Sequence, residues 1–142
     1  MSIISLGLLP GDTYGGASAI NNVGQIVGDT AYNIVGGSVE HGVLWQNGTV
    51  TDISNGMDNV SPTSLNDAGT IVGQFMDTDM TYKAFVREGS TLVDLGTRLT
   101  TPLPSGIYPH AAIAINNNGA ILVNTLPTNS SQECWVLLQP VQ

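Results

Sequence analysis

Asp77 and Asp79 flank Thr78, and alternating carboxylates on one loop could ligate calcium, which takes several oxygens at about 2.3 to 2.6 Å. The stretch lacks the glycine and distal glutamate of a calcium-binding loop, so solvated loop acids are the competing reading. A glycosidase pair would need its carboxyls about 5 to 9.5 Å apart across a cleft, which neighbouring loop positions do not provide. Tyr14 and Tyr108 stand 7 and 8 residues before an asparagine that recurs along the chain, and Asn59 is their counterpart in between. Aromatic rings at loop tips suit sugar or peptide contacts, because they bury a large area with few rotamers to freeze. Tyr32 is a secondary candidate of the same kind, on segment 30–40, which carries Gly36-Gly37 and reads as the longest loop within a unit and a mobile one. His41 and His110 have no His or Cys neighbour at ligand spacing. Cys134, beside Trp135 on an expected buried strand, has no evident activating base. The glycines fall at turns and do not open a helix around a phosphate. No catalytic residue and no cofactor is expected.

The elements that must position these side chains come from repeats. Ala19-Ile20-Asn21-Asn22-Val23-Gly24-Gln25-Ile26-Val27-Gly28 recurs as Ser64-Leu65-Asn66-Asp67-Ala68-Gly69-Thr70-Ile71-Val72-Gly73, and a third copy runs from Ala114 to Val123. In each copy two apolar segments flank Asn-x-x-Gly, where asparagine bonds its own downstream backbone and glycine accepts positive φ. That predicts a tight β-hairpin. A second hairpin follows in the first two copies, at Asn47-Gly48 and Glu88-Gly89. Helical periodicity is absent. The reading is all-β: one domain over residues 1–142, with three antiparallel units at roughly 13–57, 58–107 and 108–142 plus 1–10. Each unit is expected to have four strands. The third stops short of its fourth, and Ile4-Ser5-Leu6-Gly7 matches Val93-Asp94-Leu95-Gly96, so the N-terminal strand is expected to complete the last unit. Such pairing would remove an exposed edge. Asn21, Asn66 and Asn116 are expected to stabilise hairpins, and Trp45, Phe85 and Trp135 to pack between units.

Charge narrows the partners. Three basic residues against eleven acidic ones give a formal net charge of −8, the wrong sign for nucleic acid. The 42% apolar content argues against disorder. One cysteine cannot make an internal disulfide. The first ten residues have no basic n-region and too short an apolar run for a signal peptide or membrane span. No membrane insertion is expected, and export would have to be directed elsewhere or the chain be a mature or trimmed one.

Leu6-Gly7-Leu8-Leu9-Pro10-Gly11, then Ala17-Ser18-Ala19-Ile20-Asn21 with Gly24 to Gly28, then His41-Gly42-Val43-Leu44-Trp45 resemble the unit of the HAF repeat family of extracellular bacterial proteins. The likeness covers nearly the whole chain. It is strongest in the first unit, good in the second although Tyr82 and Val86 replace the His and Trp, and weakest at the end of the third. The resemblance implies β-propeller-like blades and an extracellular or cell-surface setting, with no characterised catalytic activity.

Propellers have about four to eight blades, so three units favour a homodimer that forms a six-bladed ring by exchanging the N-terminal strand. The alternative fold is a closed pseudo-threefold β-prism or β-trefoil. The functional expectation is a non-catalytic module for glycan or protein recognition. A purely structural, self-assembling fragment, natural or engineered, is the alternative, and a hydrolase is the reading with least support.

Overall fold

The computed structural model describes residues 1–127 and 134–140. Its strands form three separate antiparallel sheets, with no α-helix among the described residues. The first sheet is a meander of β1 (Tyr14–Ile20), β2 (Ile26–Ile34), β3 (Gly37–Gln46) and β4 (Thr49–Asp52). The second repeats it with β5 (Asp58–Leu65), β6 (Ile71–Met76), β7 (Tyr82–Glu88) and β8 (Thr91–Asp94), followed by a 3-10 turn at Leu95–Arg98. The third has three described strands, β9 (Ile107–Ile115), β10 (Ile121–Pro127) and β11 (Cys134–Leu138), with β10 central.

The first hairpin of each sheet forms where Asn-x-x-Gly places it. Gly24, Gly69 and Gly119 take φ of 81°, 82° and 79°, and the side-chain carbonyls of Asn21, Asn66 and Asn116 accept the amides of Gln25, Thr70 and Ala120. The same asparagines also join the sheets. Asn21 Nδ2 donates to the Asn66 carbonyl at 3.0 Å, and Asn66 Nδ2 to the Asn116 carbonyl at 3.3 Å. Beside this ladder Asp67 accepts from the backbone and side-chain amides of Asn22 and from the side chain of Asn117. Asn22, through its side chain and then its backbone, does most to hold the Asp67 carboxyl below the usual carboxylate range, with Asn117 adding to it.

The sheets stack as an arc. The first strand of each unit packs on the preceding sheet: β5 against β1, β2 and β3, and β9 against β5, β6 and β7. Two cores result. Val27 and Ile53 meet Val60, Leu65, Ile71, Phe75, Phe85 and Leu92 between the first two sheets, whereas Val72, Ala84, Val86 and Leu95 meet Ala112, Ile121 and Val123 between the second and third. The middle sheet is thus buried on both faces. Among the described residues no strand of the first sheet packs comparably on the third, and no sheet closes into a barrel.

Four expectations need correction. Residues 1–9 form no strand, and within the chain they do not complete the third sheet. The Trp45 indole donates to the Gly7 carbonyl at 3.0 Å, which holds the N-terminal segment on the first sheet, the other end of the arc. Residues 30–40 are not a long loop. The β2–β3 ladder runs on through Tyr32↔Val39 to Ile34↔Gly37, since a two-residue connection suffices for antiparallel strands. Trp45 and Phe85 are buried, but Trp135 is 56% exposed: it lies on the outer face of the last sheet, where no further sheet covers it. Cys134 is exposed as well, lying on an edge strand of the described sheet and not in a core.

Candidate functional site

Strand direction gathers the sequence candidates at one end of the molecule. The starts of β1, β5 and β9, the far end of β2 and the turn between β6 and β7 all lie opposite the Asn-x-x-Gly turns. That rim carries all four tyrosines and both histidines of the chain, together with Asn59, Asp77 and Asp79.

Tyr14 donates its hydroxyl to Asn33 Oδ1 at 3.3 Å, and Tyr32, next along β2, lies with its ring centroid 6.0 Å from that of His41. Both tyrosines are exposed. Asn59 holds a left-handed φ of 47° and bridges the first two sheets, its Oδ1 accepting from the Glu40 amide at 3.3 Å and its Nδ2 reaching Met76 Sδ at 3.6 Å. Tyr108 is half-buried, with its ring 6.3 Å from His110, whose Nδ1 lies 3.1 Å from the Tyr82 carbonyl. Tyr82 packs edge-on to the same imidazole at 6.2 Å. The rim therefore holds two aromatic clusters, one on the first sheet and one across the junction of the second and third, with the Asn59 amide between them.

Asp77 and Asp79 lie on the turn that leads into Tyr82. Lys83 and the Thr78 amide bond Asp77, and the Thr81 amide bonds Asp79 at 3.0 Å. The hydrogen bond from Lys83 does most to hold the Asp77 carboxyl below the usual range, and that from the Thr81 side chain does so for Asp79. The Lys83 ammonium is correspondingly raised, chiefly by Asp77. A lysine thus stands against the carboxylate where a cation would sit, and among the described residues no group of three or more His, Cys, Asp or Glu side chains gathers.

Sequence reasoning missed the neighbouring polar cluster. Asp12, with 1% of its side chain exposed, accepts the Thr30 hydroxyl and sits 3.1 Å from His41 Nδ1. Asp12 belongs to the segment before β1, and only its position one residue after Pro10-Gly11 could have marked it. The Thr30 hydroxyl is directed at the carboxylate and not at the imidazole, so the arrangement locks residues 11–12 onto β2 and β3 and fixes the His41 ring under Tyr32. Asp29, also missed, is pushed upward by burial and secondarily by the charge of Glu40. The rim thus joins exposed phenol rings to amides, carboxylates and oriented imidazoles, groups that stack on and hydrogen-bond to a neutral polyhydroxyl ligand or a peptide.

A scan against protein-family models, a search of curated proteins and a search of solved structures each found no match. No helix of the described residues is long and apolar enough to cross a membrane.

Proposed function

We propose that the chain is a non-catalytic, propeller-like repeat module that recognises glycans through the tyrosine rim, in an extracellular or cell-surface setting. The resemblance to HAF repeats supports that setting and the blade-like reading of the sheets. The observation that carries the reading is the gathering of Tyr14, Tyr32, Tyr82 and Tyr108, both histidines and Asn59 at one end of the arc. Stacking on exposed rings with hydrogen bonds from amides and hydroxyls is how a neutral sugar is held without a deep cavity. The acidic balance of the chain favours neutral over anionic sugars.

A glycan array probed with labelled protein tests this, with Tyr14→Ala and Tyr108→Ala as rim variants. Binding to neutral glycans that falls at least tenfold in either variant is the expected result. A blank array, or binding that both variants leave unchanged, overturns it. A second reading, a module that only assembles, is favoured by the asparagine ladder and the open outer faces; a blank array with a defined oligomeric mass is its signature.

A further inference from the structure

We infer that a second copy of this chain continues the arc at both of its ends, with residues 2–5 of each copy adding the fourth strand to the third sheet of the other. The inference does not rest on glycan recognition. It rests on the two sheet-to-sheet junctions already within the chain, which serve as templates for a third.

The first template concerns the open edge of β11. In the second sheet β8 pairs with β7 through Phe85↔Asp94, Val86↔Val93 and Arg87↔Leu92, and the chain then runs into Leu95-Gly96. Residues 2–7, Ser-Ile-Ile-Ser-Leu-Gly, match residues 91–96, Thr-Leu-Val-Asp-Leu-Gly, position for position in character. Yet Ile3 and Ile4 are 101% and 80% exposed, while Gly7 is anchored by Trp45. The tail is therefore docked on the first sheet, as Ile53 is on the second and Leu95 on the third. Its strand segment projects free. Among the described residues β11 pairs only with β10. By repeat register Val136 and Leu137 stand where Phe85 and Val86 stand, so Ser5 and Ile4 of a second copy fall opposite them. Ile3 would then take the place of Leu92, which shares a core with Ile53 and Ile71. Their counterparts Leu95 and Ile121 line a groove of about 720 Å³ beside Leu138.

The second template concerns the faces. Val72, Ala84 and Val86 on the second sheet are buried by the third. Their counterparts on the third are Leu122, Trp135 and Leu137, paired in the same way as Leu122↔Leu137 and Asn124↔Trp135. All three are exposed, at 37%, 56% and 59%. At the other end of the arc β1 is exposed along nearly its whole length, whereas its equivalents β5 and β9 bury Val60, Leu65 and Ala112 against the preceding sheet. An apolar face meant for a following sheet and a first strand lacking a preceding one are complementary halves of the same junction. Two chains supply both halves twice, and six sheets fall within the range of closed propellers. The asparagine ladder continues in the same sense, since Asn116 Nδ2 would meet the Asn21 carbonyl of the second copy.

Light scattering after size exclusion, in reductant, should give twice 14.8 kDa. Removal of residues 2–5, which no ladder of the single chain uses, should give a folded chain of half that mass, with the strand signature retained in circular dichroism. Ile4→Cys with Leu137→Cys, in a Cys134→Ala background, should oxidise to a covalent dimer, because opposed residues of an antiparallel pair stand about 4.5 to 5.5 Å apart, within disulfide reach. A monomeric mass for the intact chain, an open-ended series of masses, or a disulfide that forms only within one chain each overturns the proposal. The cross-link does not depend on whether the shortened chain folds.

Discussion

Asn66 performs two tasks with one amide: its carbonyl oxygen closes its own hairpin and its nitrogen reaches the turn of the next sheet. Both partners are backbone groups, so the residue type is set by geometry and not by any ligand. Asp67, one position on, adds a charge to the same seam. Its carboxyl ionises below the ordinary range because Asn22 and Asn117 donate to it. A group whose folded pKa is depressed contributes stability that is complete above its unfolded pKa, about 3.9, and is lost as pH falls through the folded value. The thermal midpoint should therefore decline on acidification below about pH 4, and Asp67→Asn should decline less steeply over that interval. Asp77 and Asp79 are shifted in the same direction, so some decline persists in the variant. Identical slopes for the two proteins would show that the Asp67 seam adds nothing to stability.

At the scale of the elements, what a strand buries depends on which sheet follows it. Phe85 is fully buried between the first two sheets, so Phe85→Ala leaves a cavity and should cost about 3 to 5 kcal/mol in denaturant unfolding. An equal cost for Trp135→Ala in a protein held monomeric by removal of residues 2–5 would contradict the exposed placement of that indole. The hairpins and the threefold repeat were legible in the sequence, because Asn-x-x-Gly and Asn-Gly dictate turns locally and period-2 apolar runs dictate strands. The equivalence of Trp45, Phe85 and Trp135 was not. Strand register puts Val43 and Val136 at the Phe85 position, and a one-residue slip reverses the face of a side chain. The rim candidates were legible because distance to a shared turn fixes which end of a strand a residue occupies. The Asp12 cluster was not, since it joins a segment outside any strand to two strands 18 and 29 residues away.

For the whole molecule, the arc leaves two surfaces open, the outer face of the third sheet and the side of β1. Among the described residues the three sheets make two internal junctions, whereas the proposed paired ring would have six, two of them between copies. Those two form only on association, so apparent stability must follow mass action. Over a hundredfold rise in protein concentration such a dimer would gain about 2.7 kcal/mol relative to unfolded chains. The melting midpoint should climb accordingly, while the chain lacking residues 2–5 should melt at a temperature independent of concentration. Differential scanning calorimetry at the two ends of that range measures both. The contrast isolates the contribution of association, because the rim, the ladder within the chain and the internal cores are identical in the two proteins. Concentration-independent melting of the intact chain would mean that the open faces are stable in water as they stand, and that three sheets make a complete folding unit.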